Sequence, residues 1–300
     1  MTLIWGIPEL GETEPVSRSP EPAAGKRVCE VRIHNMPRSI SIAPLWANEA
    51  VDFLRSSDPV LAQIIAQVGP LEMAHRRERF QSLVRAIIFQ QLAGRAALAI
   101  YQRFVAIIGH GRFPTPAQVI AAPDKDMRRA GLSRGKMAYI RDLARHVRDG
   151  SLNFRRFARM EDDEIIADLV RVRGIGRWTA EMFLMFNLRR PDVLPVDDLG
   201  FRGAVAKAYG LSQLPAAKEL KSMGERWRPY RSAAVWYFWQ STRLVTMDAT
   251  AKTALTARQI KRKARQRRHP QVTKLTPPHT NDRRRGRSSR HAPRAGTLKS

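Results

Sequence analysis

From about Pro44 to Met247, apolar residues return every three or four positions, and no stretch alternates residue by residue. Phe80, Leu83, Val84, Ile87, Ile88 and Leu92 make one stripe; Ile140, Leu143, Ala144 and Val147 make another. This period matches one face of an α-helix, whereas a half-buried strand has period two. Short breaks bearing Pro or Gly separate the stripes: Val68-Gly-Pro70, Gly109-His-Gly111, Phe113-Pro-Thr-Pro116 and Gly131-Leu-Ser-Arg-Gly135. Helices joined so closely must bury their stripes against one another, so the expected fold class is all-α. No internal repeat of solenoid period appears.

The flanks differ in kind. Residues 1–43 mix Pro, Glu, Ser and Gly without periodicity and read as a disordered leader, too short and too poorly patterned for an added β-rich domain. Residues 248–300 contain Lys261-Arg-Lys-Ala-Arg-Gln-Arg-Arg268 and Arg283-Arg-Arg-Gly-Arg287. Such a segment buries too little surface to offset chain entropy and reads as a disordered basic tail. Tethering to DNA and the lack of any specific role both stay open for it.

Charge then narrows the partner. The chain has 53 Lys+Arg against 27 Asp+Glu, a net charge of +26. The last fifty residues hold 16 basic residues and one acid, Asp282; the other 250 hold 37 against 26. An anionic partner is expected, and nucleic acid is the commonest. A single cysteine, Cys29, excludes an intrachain disulfide framework, a thiolate zinc site and a four-cysteine iron–sulfur cluster. The apolar run Ala233-Ala-Val-Trp-Tyr-Phe-Trp239 is far short of the ~18 residues that span a bilayer. The N-terminus carries acids where a secretory signal has a basic region. The expectation is a soluble intracellular monomer with no membrane partner.

The most informative stretch runs from Asp163 to Val205. Ile165, Ile166, Leu169 and Val170 outline a helix that Gly174 stops, and Arg177-Trp-Thr-Ala-Glu-Met-Phe-Leu184 starts another. Between them Gly174-Ile-Gly176 forms a tight hairpin in which the glycines tolerate positive φ and Ile175 plugs into the core. Backbone N–H groups at such a hairpin and at the following helix N-terminus can gather a phosphate. An ordinary αα-turn has the same outline, and a lone Gly-x-Gly does not decide between them. Further on, Pro191-Asp-Val-Leu-Pro-Val-Asp-Asp-Leu-Gly200 puts two carboxylates at a helix start. One is expected to cap the helix and the other to face a cleft. Asp162-Asp163 reads as helix-start capping. His34, His75, His110 and His146 have no metal-ligand spacing, and no phosphate-binding loop of the Walker type is present.

Val172-Arg-Gly-Ile-Gly-Arg-Trp-Thr-Ala180, followed by Asp198, resembles the helix–hairpin–helix DNA glycosylase superfamily, and within it the 3-methyladenine DNA glycosylase II branch. The likeness spans residues 44–247, including Asp58-Pro59, Ile87-Ile-Phe-Gln-Gln-Leu92 and Arg226-Trp-Arg-Pro-Tyr-Arg-Ser232. It implies two helical subdomains flanking a DNA-binding cleft, with the hairpin at 163–186. It implies that Asp198 is catalytic and Asp197 its structural neighbour. Arg173, Gly174, Ile175, Gly176, Arg177 and Thr179 are implied to meet the DNA backbone, and Leu92 to wedge into the duplex; core packing is the other reading of Leu92. The backbone carbonyls of Val170, Val172 and Ile175 are implied to hold a monovalent cation, Na+ or K+, with no other cofactor required. Trp178, Met182 and Trp239 are implied to line the base pocket. Relatives have a tyrosine where Met182 stands, and Trp239 also reads as core, because Trp236, Tyr237, Phe238 and Trp239 must face different ways on a helix.

Trp178 occupies the position at which strand-cutting relatives carry a nucleophilic lysine. An indole forms no Schiff base, so the resemblance narrows to a monofunctional enzyme. The implied reaction is hydrolysis of the N-glycosidic bond of alkylated purines in duplex DNA, opening base-excision repair. The charge that builds on the sugar is stabilised by a carboxylate, and tryptophan π faces attract a cationic base. Two rivals remain: a non-catalytic helix–hairpin–helix DNA-binding protein, and a glycosylase of the same fold for oxidised or mismatched bases.

Overall fold

A computed structural model describes residues 40–41 and 43–243. Most of the expected leader and the whole of the basic tail lie outside the described residues. Ile40–Ser41 (β1), inside the segment read as leader, pair antiparallel with Ala74–His75 (β2), Ile40 opposite His75. This small bridge departs from the strand-free expectation; two residues carry no legible alternation.

The remaining elements are helices. One group comprises α1 (Ala47–Ser57) and α2 (Pro59–Val68), then later in the chain α10 (Leu199–Tyr209), α11 (Ala217–Gly224) and α12 (231–243). The other comprises α3 (Arg79–Phe89), α4 (Gly94–Ile108), α5 (Pro116–Ala121), α6 (Asp124–Arg129), α7 (Arg134–Arg148), α8 (Asp162–Val170) and α9 (Arg177–Phe183). Within the second group α3 packs on α4, α7 and α9, α5 and α6 pack on α7, and α8 packs on α9.

Local chemistry sets the boundaries. Thr115 and Gln118 form a reciprocal capping box with Pro116 in the first turn of α5, and Ser133 caps α7. Glu161 is the residue before α8, and Glu164 reaches back to its N–H at 2.8 Å. Asp162 and Asp163 therefore lie inside the first turn, where they meet the helix dipole. The chain leaves α2 through Gly69 at φ +86. The centres of the expected stripes hold: Leu83, Val84, Ile87 and Ile88, and likewise Ile140, Leu143 and Ala144, are wholly buried, whereas Phe80 and Val147 are half-buried and Leu92 is exposed.

The aromatic run departs from expectation. Trp236, Tyr237, Phe238 and Trp239 are all buried, because α12 is surrounded and apolar on every side. Tyr237 donates its hydroxyl to the Gly69 carbonyl at 3.0 Å. A second tie is Asp58, with no exposed surface. Its Oδ1 caps α2 by accepting from Val60 and Leu61, while Oδ2 accepts from Trp227 Nε1 at 2.8 Å and from the Tyr209 hydroxyl. One carboxylate thus joins α2, the end of α10 and the turn after α11.

Replacing Asp58 by Ala removes the cap and strands two buried donors, so unfolding stability should fall by about 3 kcal/mol or more. Urea denaturation with an unchanged slope checks this; a loss under ~1 kcal/mol would contradict the central place given to Asp58.

Candidate active site and nucleic-acid interface

The hairpin between α8 and α9 is built on one special backbone position. Gly174 has φ +83, and a Cβ there would lie 2.4 Å from the Tyr139 ring. Both the dihedral and the close approach require glycine. Gly176 differs from expectation: its φ is −93, and a Cβ would meet nothing within 4 Å. Ile175 is buried as expected, plugging the turn into the core. Arg173, Gly176 and Arg177 are exposed, whereas Thr179 is 5% exposed and faces the interior. Thr179 sits two positions past Arg177, a rotation of ~200° on the helix, which takes its side chain off the exposed face.

Not every hairpin N–H is available to a phosphate. Arg173 donates its amide to Asp142 on α7 at 2.9 Å, and Ile175 donates to the Val172 carbonyl at 3.1 Å. The amides of the first turn of α9 have no intrahelical acceptors. They and the Arg173 and Arg177 side chains are the donors the hairpin turns outward.

Asp198 is the N-cap of α10, and both its oxygens are engaged. Oδ1 accepts from the Phe201 amide at 2.5 Å and from Trp239 Nε1 at 3.1 Å. Oδ2 accepts from Trp178 Nε1 at 2.7 Å. The expected division of labour between the paired acids is thereby corrected: Asp197 is exposed and Asp198 itself caps the helix. An N-cap needs only one oxygen, so the same residue can cap and still present a carboxylate held by two indoles. Phe186 stacks on Trp239 at 6.3 Å and 20°. Phe186 lies in a π-helical turn, Leu184–Leu188, that continues α9. The sequence carries no signal for the indole-to-carboxylate bonds; the expectation is a π face for Trp178 and a π face or core packing for Trp239.

The third implied pocket residue differs. Met182 is 1% exposed and packs in the core, so it offers no surface to a flipped base in this conformation. Trp178 is half-buried and Trp239 is 5% exposed. Leu199, directly after Asp198, stands 67% exposed beside the site.

Leu92 lies beyond the end of the stripe expected from Phe80. α3 stops at Phe89, Gln91 takes φ +57, and Leu92 emerges 39% exposed. Core packing is therefore not its role.

Glu181 also escaped the sequence reading, although its i,i+4 spacing from Arg177 was available. It is 4% exposed, and Arg177 Nε meets it at 3.0 Å. Burial pushes its carboxyl up to about 7, outweighing the pull of Arg177. Arg177 and Glu181 help to line a cavity of about 650 Å³ with Arg190, Asp192, Val196 and Arg231. Several of its charges are paired: Asp192 receives Arg228 at 2.7 Å and Arg231 at 2.5 Å. Asp198 does not line this cavity.

The raised carboxyl has a stability consequence. Glu181 ionises near 4.5 when unfolded but keeps its proton up to about 7 when folded. Its contribution is complete below pH 4.5 and is lost as pH rises through 7. Unfolding free energies of Glu181→Gln and wild type, measured from pH 4 to 8, should therefore diverge in favour of the variant as pH rises. A constant difference across that range would refute the assignment.

Among the described residues, no group of three or more His, Cys, Asp or Glu is placed to hold a metal ion, and no helix is long and apolar enough to cross a membrane. Comparison with known proteins gives concordant results. The family described as HhH-GPD superfamily base excision DNA repair protein matches residues 84–229. DNA-3-methyladenine glycosylase 1 of Schizosaccharomyces pombe is 34% identical over 61% of this chain and 81% of its own length. A solved structure of a 3-methyladenine DNA glycosylase from that yeast in complex with abasic DNA superposes with a TM-score of 0.58 at 33% identity, covering 65% of this chain and 97% of the other. The crystal structure of a DNA-3-methyladenine glycosidase from Bacillus halodurans gives 0.60 at 38% identity, over 64% and 88%. The matched span contains the hairpin and Asp198, and the chain belongs to the HhH-GPD superfamily of base excision DNA repair proteins.

Proposed function

We propose that this protein is a monofunctional DNA glycosylase of the 3-methyladenine II type that hydrolyses the N-glycosidic bond of alkylated purines in duplex DNA. The observation that carries the proposal is the Asp198 carboxylate, held at the mouth of α10 by indole N–H groups from α9 and α12. The names and titles of the relatives support the substrate class, and the complex of one with abasic DNA supports the partner.

Breaking the bond between C1′ and the base nitrogen sends the electron pair to the base and leaves positive charge on the sugar. Asp198 stabilises that charge and orients the water whose oxygen then bonds to C1′, the water's proton passing to the carboxylate or solvent. A base alkylated at a ring nitrogen already carries positive charge and departs neutral, so no partner acid is needed. The base must first leave the duplex stack, which is easier where damage weakens pairing. Leu92 fills the space it vacates, while Arg173, Arg177 and the first amides of α9 grip the backbone. Trp178 holds the position where a lysine would allow strand cleavage, and it cannot form the required Schiff base. The protein acts as an intracellular monomer without membrane attachment.

No redox or catalytic cofactor enters this chemistry. Val170 ends α8, and Val172 and Ile175 lie in the turn before α9, where helical donors run out; the Val172 carbonyl accepts the Ile175 amide. Neutral oxygens of this kind suit a monovalent cation, which would brace the hairpin against a phosphate.

The binding-module alternative draws on one observation, that Asp198 caps α10. Asp198→Asn separates the two readings, since an amide oxygen keeps the cap while the negative charge is lost. Base release from methylated duplex should fall about a hundredfold or more, with duplex binding retained. Unchanged release would remove Asp198 from catalysis. Borohydride should trap no covalent protein–DNA adduct; a trapped adduct would contradict the monofunctional assignment. Binding should weaken steeply with salt through counterion release.

A further inference from the structure

α7 presents Lys136, Tyr139 and Asp142 at intervals of three, and each meets one of the two turns assigned above to DNA. Lys136 Nζ donates to the Ile88 carbonyl at 2.6 Å and to the Gln90 carbonyl at 2.8 Å. These carbonyls end α3, where intrahelical donors run out and a cation also complements the helix dipole. One residue later Gln91 takes its left-handed φ of +57, and Leu92 emerges. A non-glycine residue holds that conformation only where its surroundings impose it. Gln90 then reaches across 84 positions of sequence, its Nε2 donating to the Gly174 carbonyl at 2.8 Å. Tyr139 lies against Gly174, and Asp142 takes the Arg173 amide. The turn that bears Leu92 and the hairpin are therefore fastened to one helix and to each other.

We propose that Lys136 and Gln90 are positioning residues that lock the Leu92 turn to the hairpin, so that gripping the backbone and filling the gap left by an extruded base occur as one event. This rests on the glycosylase reading and adds the residues that couple its two DNA-contacting turns. Neither side chain has to touch DNA. Without the ammonium group, two carbonyls at the end of α3 lose their donor and the turn is free to relax. A displacement of even ~1 Å at such a position can cost about a hundredfold in rate.

The test uses the full chain and a duplex with a tetrahydrofuran abasic site beside a 2-aminopurine, which reports insertion into the gap by fluorescence and cannot be hydrolysed. Lys136→Met keeps the length and apolar stem. Its binding by anisotropy should stay close to wild type while the fluorescence response falls about tenfold. Base release from methylated duplex should lose kcat with KM retained, and Lys136→Arg should restore much of both signals. A wild-type fluorescence response in Lys136→Met, or parallel loss of binding and response, overturns the proposal. If Lys136→Met fails to fold, Gln90→Leu carries the same test with the same criteria. A wild-type protein that inserts but releases no base would sink the glycosylase reading and leave the coupling standing; one that binds without inserting would sink the coupling.

Discussion

The Asp198 carboxylate accepts hydrogen bonds from three separate places in the chain: the indoles of α9 and α12 and the first turn of α10. This convergence decides how the two helical groups meet. α9 belongs to the group that carries the hairpin, α10 and α12 to the other, and the acid lies where they join. Removing it would leave two indole N–H groups and a helix start without an acceptor, each of the kind that costs about 1–3 kcal/mol when buried. The feature that orients the acid for chemistry is thus also a seam of the fold.

The far end of the same helix repeats the device. α10 begins at Asp198 and ends at Tyr209, whose hydroxyl donates to the buried Asp58, itself bonded to Trp227. A chain of net charge +26 that binds polyanions gains nothing from acids on its DNA face. Here two of them are engaged by aromatic N–H and O–H donors, so α10 is fixed at both ends. Arg173 and Arg177 remain at the surface, Arg177 with its Nε on Glu181.

Much of the site was legible before any coordinates. Gly174 was recognisable because a helix–hairpin–helix needs one residue at positive φ, and Asp198 because an acid before Leu-Gly at a helix start follows the superfamily's pattern. The burial of Ile175 followed from its place between glycines. What escaped is of one kind. Nothing in the sequence marked Glu181 or Lys136. The resemblance put Met182 in the base pocket and Thr179 at the DNA backbone, and both side chains are buried. Each of these depends on how a helix is rotated against others far away in the chain, and periodicity in a mostly buried segment such as 179–183 or 232–239 does not report rotation.

Sequence alone determined the helical class, the hairpin, a carboxylate at the start of α10 and a tryptophan rather than a lysine at position 178. These are properties of residue type and short-range spacing, which local backbone preferences and chemistry read directly. The tertiary structure decided which atoms of those residues are used. It turned the tryptophans edge-on to Asp198, tied the Arg173 amide to Asp142, exposed Leu92 and ran α7 between the Leu92 turn and the hairpin. The bonds among these span 20 to 84 positions of chain. Such bonds form only where packing brings their partners together, and no local pattern encodes them.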